Sequence, residues 1–357
     1  MKLQIQKILL DNALAKVVPF TNQKDTSNIT STVMLNMSND ILTLFATDCE
    51  MGLKATLVMD NLSSIDGFAV VNGKKLYDIV KVMKNDFITL EVKGEMLNVA
   101  QNKSRFKTPI STDEFPSFPN IHTKNSLNLD SALLMESLRK ITPSIDANNP
   151  KYALNGALID IKHDRIYFVS TDTRRLSTTK IESSNENELS LIIPKRAIVE
   201  VQKLFHKDIN IYFDDTYMAV ESNQFFLYTK LINGEYPDFN RVIPSETIHN
   251  LLINKLDMIE NIKPLTIISN EINISIENNV VSLTAITDNQ DKNTANTEFE
   301  ISEPIPEQKE ILVNSRYLLD FLNTVFDDTF TLSINDSNVP FVLESDGLKT
   351  VVMPIVL

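Results

Sequence analysis

The chain has 357 residues, 43% of them hydrophobic, only seven glycines and a net charge of −13. That length suits two or three ordinary domains with real cores, and so few glycines argue against nucleotide-binding folds built on glycine-rich loops. One cysteine, Cys49, excludes an intrachain disulfide framework and fits a reducing, cytoplasmic location, while the acidic total, taken whole, argues against nucleic acid.

In chain order, the opening "MKLQIQKILLDNALAKVV" is broken by Gln6, Lys7 and Asp11, unlike a secretory leader, and its apolar spacing predicts a helix over 6–17. "DILTLFAT" (40–47) alternates like a half-buried strand and ends at Thr47-Asp48. Leu76, Ile79, Val80 and Met83 fall at i, i+3, i+4 and i+7, which predicts a helix over 72–84 with Lys74 and Lys81 on its far face. Residues 87–101 read as a hairpin turning at "KGEM". After "EFPSFPNI" (114–121) and a polar seam near 122–131, a helix is expected over 131–141. "DRIYFVST" (164–171) is a strand that runs into "TDTRRL" (171–176). Ile198, Val201 and Phe205 make the stripe of a helix over 194–207, with Arg196, Lys203 and Lys207 opposite. A hairpin over 208–222 turns at "FDDTYM", and "EYPDFNRVIP" (235–244) leads to a second seam at 243–252. Helices at 255–263 and 314–326, a strand at 330–336 and the terminal "VVMPIVL" (351–357) complete the chain. No apolar run reaches the ~18–20 residues of a membrane span.

These elements recur. An apolar run ending in Thr-Asp stops at Asp48, Asp172 and Asp288. A helical phrase follows each, starting at 70, 192 and 312, and another precedes each, at 8–17, 132–141 and 255–265. A common order at common spacing predicts three domains, 1–122, 123–245 and 246–357, each an α+β unit of two helices and about eight strands with its own core. The repeated Thr-Asp has a structural reading, because an Asp that ends a strand accepts hydrogen bonds from the backbone of the next turn. Arg-Arg follows only the second copy.

Charge is segregated. The six helical segments carry 15 Lys and Arg against 7 Asp and Glu, a net +8, so the rest of the chain carries −21. Helices do favour Lys and Arg, but Glu is as good a helix former. Basic helix faces on an otherwise acidic chain fit a surface that meets the phosphates of duplex DNA without reading sequence. Lys74, Lys81, Arg196, Lys203 and Lys207 are the candidate contacts.

Nothing comparable points to catalysis. Neither phosphate-binding glycine motif occurs, and His122, His163, His206 and His249 are too far apart for metal-ligand spacing. Cys49 beside Asp48 fits a small buried thiol better than a nucleophile, and "FDD" (213–215, 326–328) fits a turn or cap better than a cation site. No cofactor and no metal are expected.

At "MKLQIQKILL", "ATDCEMGL" (46–53), "SRFKTP" (104–109), "YALNGALIDI" (152–161), "STDTRRLS" (170–177), "LINGEYPDFNRVIP" (231–244) and "VVMPIVL", the chain resembles the bacterial DNA sliding clamps, the beta subunits of the replicative DNA polymerase, over essentially its whole length. The resemblance implies three clamp-fold domains and a head-to-tail homodimer closing a six-domain ring around DNA, without catalysis. It implies partners that dock short motifs, among them the replicative polymerase alpha subunit and the clamp-loader delta subunit, and no membrane. By matching position the docking pocket would comprise Leu154, Thr171, Arg174, Arg175, Leu176, Pro237, Arg241, Val242, Asn314, Tyr317, Val352, Met353, Pro354, Ile355 and Leu357. Lys24 and Asn148 match DNA-contacting loops. Lys75, Ile79, Arg105 and Phe106 of the first domain would meet Ile267 and Ile268 of the third across the dimer. The chain departs from the family pattern where Thr173 and Arg174 replace a usual Gly and His, where Val356 replaces a penultimate Arg, and in a shorter loop after 267–271.

Two other readings make distinct predictions. An enzyme with Asp172 as base and Arg174 or Arg175 as anion clamp would lose turnover in Asp172→Asn while still assembling. A scaffold that ignores DNA would be indifferent to Arg196→Glu with Lys203→Glu.

Overall fold

The structure is a computed structural model, and it describes all residues except 23, 25–28, 60–63, 122–124, 128, 186–187, 288–292 and 357. Among the described residues six α-helices stand where the apolar spacing puts them: α1 (Lys7–Val17), α2 (Gly73–Lys81), α3 (Ser131–Ile141), α4 (Lys195–Leu204), α5 (Lys255–Leu265) and α6 (Ser315–Thr324). Three begin at an asparagine. Asn72, Asn254 and Asn314 each accept a hydrogen bond from the first-turn backbone, which satisfies donors that the helix itself leaves open. α2 stops at Lys81, short of the expected Lys84, and Lys84 N–H bonds instead to the Gln101 side chain at 2.9 Å.

The chain packs as two compact units, Met1–Ser131 with Glu200–Leu231, and Ala132–Val199 with Ile232–Leu357. Each contains one eight-stranded antiparallel sheet, and the two sheets have the same order. In the first unit the strands run Gly67–Asn72, Thr32–Ser38, Ile41–Thr47, Met51–Val58, Phe225–Lys230, Tyr217–Glu221, Asn210–Phe213, Asn125–Leu127. In the second they run Leu189–Pro194, Gly156–Ile161, Arg165–Thr171, Arg175–Glu182, Leu348–Val352, Phe341–Ser345, Thr329–Ile334, His249–Asn254. Each sheet is thus made from two consecutive sequence copies, joined where Met51 pairs with Thr229 and where Arg175 pairs with Val352.

The remaining strands make a four-stranded sheet in the first unit (Lys2–Gln6, Phe87–Lys93, Met96–Gln101, Ser104–Pro109) and a long ribbon in the second (Glu271–Ala285 with Asn296–Asn314). Among the described residues copies one and two contribute eight strands each and copy three six, because its ribbon runs two strands together on each side. Register shifts between Ile276 and Val280 mark the join.

Helix stripes bury against these sheets. Leu76 and Val80, like Ile198, Val201 and Phe205, are essentially inaccessible, as alternation and helical period require. Among the described residues no helix is long and apolar enough to cross a membrane.

Candidate peptide-docking site

The Thr-Asp repeat is a shared turn. Asp48 Oδ1 accepts from Glu50 N at 3.0 Å and Met51 N at 2.9 Å; Asp172 Oδ1 accepts from Arg174 N and Arg175 N at the same distances. Thr47 and Thr171 accept from the residue two positions on and donate to the carbonyl four positions on. The middle residue is left-handed in both, φ 72° at Cys49 and φ 76° at Thr173. That is the position where the family pattern has glycine, the residue that adopts positive φ without steric cost. Asp288 of the third copy lies outside the described residues.

The second turn differs from the first in what surrounds it. Around the first, Phe45, Phe115, Phe118, Phe226 and Tyr228 pack ring to ring, with centroid separations from 4.7 to 6.5 Å, and Thr47 Oγ1 bonds to the Tyr228 hydroxyl at 2.6 Å. The space beside that turn is filled by the chain itself. Beside the second, Arg174 stays exposed while Arg175 turns in. Arg175 Nε donates to Asp172 Oδ2 at 3.0 Å, and its guanidinium lies 4.6 Å over the Tyr317 ring. Both oxygens of Asp172 are therefore committed to the turn, a poor arrangement for a general base.

The terminal strand zips onto this turn. Arg175 pairs with Val352 and Leu176 with Val351, Met353 N donates to Arg174 O at 2.8 Å, and Ile355 N donates to Leu312 O at 2.7 Å. Leu176 and Val351 share an apolar cluster with Leu158, Val169, Ile232 and Phe239, on which Ala153, Tyr236 and Ile243 pack. Burial raises the Tyr236 and Tyr317 phenols above the ordinary tyrosine range.

Direct contacts thus link Thr171, Arg174, Arg175, Leu176, Tyr317, Val352 and Met353. Leu154 (buried) and Pro237 (exposed) follow or adjoin residues of the shared cluster. Arg241 is exposed and paired with Asp238 at 3.0 Å, and Val242 is exposed. Pro354 is buried and Ile355 half-buried. Asn314 spends its side-chain oxygen on capping α6. Leu357 lies outside the described residues. The sequence reading passed over Asp320, whose carboxylate sits 2.8 Å from Arg175; its position three residues after Tyr317 on one helix face is the signal that finds it.

Of the candidate DNA-facing groups, Lys24, Lys74, Lys81, Lys203 and Lys207 are exposed in the first unit, and Asn148 and Arg196 in the second. Lys203 is itself paired with Glu200 at 2.9 Å, and further helix bases are engaged within the fold. Arg139 donates to Thr324 O, Lys140 is 6% exposed between Glu136 and Asp346, and Lys195 donates to Ile145 O. The count of basic helix residues therefore overstates the available positive surface. Among the interface candidates, Lys75 and Ile79 lie on α2, and Arg105 and Phe106 on the edge strand Ser104–Pro109 of the first unit. Ile267 is 83% exposed just after α5 in the second unit, beside half-buried Ile268. Among the described residues no cluster of His, Cys, Asp and Glu could hold a metal.

Comparison with known proteins agrees with this geometry. Residues 1–120, 128–238 and 240–356 match the models for the N-terminal, central and C-terminal domains of the DNA polymerase III beta subunit. The beta sliding clamp of Helicobacter pylori is 34% identical over 376 residues, covering 100% of both chains. The Helicobacter pylori beta clamp bound to a DNA ligase peptide superposes with a TM-score of 0.95 at 35% identity over 100% of both chains. The Pseudomonas aeruginosa clamp bound to griselimycin, 24% identical over 100% of both chains with a TM-score of 0.93, shares the fold. With three domain models matched in order and a relative alike along its full length, the chain belongs to the DNA polymerase III beta subunit family, the bacterial sliding clamps.

Proposed function

We propose that this chain is a DNA sliding clamp that works as a head-to-tail homodimer of three-domain subunits (1–122, 123–245 and 246–357). The ring encircles duplex DNA in the cytoplasm and tethers the replicative polymerase through its alpha subunit. The clamp-loader delta subunit and other motif-bearing proteins dock at the same place. The chain performs no reaction itself. A head-to-tail contact closes after two subunits because three domain repeats give each subunit half a turn. Phosphate contacts from Lys24, Lys74, Lys81, Asn148, Arg196, Lys203 and Lys207 are equivalent at every step along the duplex, so they hold the ring without fixing it. Lys75, Ile79, Arg105 and Phe106 meet Ile267 and Ile268 of the partner subunit.

The observation that carries the docking reading is the seam between Arg174–Leu176 and Val351–Met353. It leaves Met353 39% exposed next to Arg174 and the buried Arg175, whose guanidinium stacks on half-buried Tyr317. A pliant thioether, an aromatic wall and an exposed guanidinium at Arg174 suit a short peptide with apolar anchors and a hydrogen-bonding head. The related Helicobacter clamp holds a DNA ligase peptide, and the same class of ligand is read for this chain. The test is fluorescence anisotropy with a labelled Gln-Leu-x-Leu-Phe peptide, titrated with the intact chain and with a chain lacking 353–357. Saturable binding that truncation abolishes in a folded protein supports the reading; no binding by intact chain removes it.

A further inference from the structure

Arg175 is held from three directions. Nε donates to Asp172 Oδ2 within its own turn at 3.0 Å, one terminal nitrogen donates to the Pro143 carbonyl at 2.6 Å, and the other faces Asp320 Oδ2 at 2.8 Å. The guanidinium face covers the Tyr317 ring. Asp172 and Pro143 belong to the turn and to the segment after α3, whereas Asp320 comes from α6. Tyr317 and Asp320 stand at i and i+3 on that helix, hence on one face.

We propose that Asp320 is a positioning residue for peptide docking. By drawing Arg175 toward α6 it fixes the guanidinium on Tyr317 and so sets the wall of the cleft, without touching the docked peptide. This inference rests on the docking reading above. The arrangement also says where the effect is felt. The Asp320 side chain is 42% exposed, so as an isolated pair it contributes little to stability. Arg175 is only 7% exposed and keeps Asp172 and Pro143 when Asp320 is removed, so it stays buried and satisfied. What is lost is the tether to α6, and with it the fixed relation between Arg175 and Tyr317. A wall that must be ordered afresh in each complex weakens binding through faster dissociation.

The experiment measures affinity and dissociation rate of the Gln-Leu-x-Leu-Phe peptide for the intact chain, Asp320→Ala, Asp320→Glu, Arg175→Met and the Asp320→Ala/Arg175→Met double variant, with melting temperatures alongside. Asp320→Ala is expected to weaken binding about tenfold through dissociation, with little change in melting temperature, and Asp320→Glu to recover most of it. In the Arg175→Met background the second change is expected to cost less than about twofold, because the two residues act as one unit. Binding by Asp320→Ala within about twofold of the intact chain overturns the inference while leaving the docking reading in place. An undiminished loss in the Arg175→Met background also overturns it, since Asp320 would then act on its own. If the intact chain itself binds no such peptide, docking reading and inference fall together.

Discussion

At the scale of single residues, the turn at 171–175 stores strain that the sequence does not advertise. Thr173 is β-branched and exposed, yet held at φ 76°, where a side chain of that shape costs roughly 1–2 kcal/mol. Glycine there loses more freedom on folding, by about 0.5–1 kcal/mol relative to alanine in regular structure, so the balance still favours it. Thr173→Gly is expected to raise stability by about 0.5–1 kcal/mol, read from urea denaturation midpoints. Tyr228 makes a second residue-scale prediction. Burial pushes its phenol up to about 12, the largest cause, partly opposed by its bond to Thr47. In the unfolded chain it ionises near 10. Its folded value is the higher one, so its contribution is complete below about pH 10 and is lost as pH rises through about 12. Ultraviolet titration of the folded protein should show a late-ionising group of tyrosines, Tyr236 and Tyr317 among them, whose amplitude falls by one residue in Tyr228→Phe.

At the scale of elements, the strand Gly156–Ile161 can sit beside Leu189–Pro194 only because its first residue has no side chain. A Cβ at Gly156 would lie 2.3 Å from Ile193 O, a backbone atom, and 2.9 Å from Ile232 Cδ1. Gly156→Ala should cost about 3 kcal/mol, measured by denaturation, because backbone cannot yield as a flexible side chain can. Which helix bases the fold engages is also an element-scale fact. α3 carries Arg139 and Lys140 in its last turn, and both are drawn into contacts with residues 324 and 346. Lys140→Ala should therefore lower stability by about 2 kcal/mol, by leaving Glu136 and Asp346 without their shared cation, and should leave DNA retention unchanged. Denaturation and retention on nicked circles, measured on the same variant, check the two halves of that prediction.

At the scale of the whole molecule, a topological tether is distinguished by what releases it. The assembled protein should stay on circular duplex DNA and run off linear DNA, measured by gel filtration after loading. Arg196→Glu with Lys203→Glu should flatten the salt dependence of DNA binding by about two units of log–log slope, with no change in dimer mass. The sequence by itself determined a good deal here. Helices and strands followed from apolar period, a local property that burial enforces residue by residue. The threefold repeat was legible as recurring phrases, and the Thr-Asp turn as a local hydrogen-bonding unit. What only the tertiary structure decided depends on residues far apart in the chain. Each eight-stranded sheet takes strands from two sequence copies. The ribbon at 271–314 runs separate strands together, and Arg175 turns inward because Pro143, Tyr317 and Asp320 converge on it. A side chain's periodicity says which face of its own element it occupies; whether it is then bonded, stacked or left to solvent is set by whatever the fold brings opposite, and no local pattern encodes that.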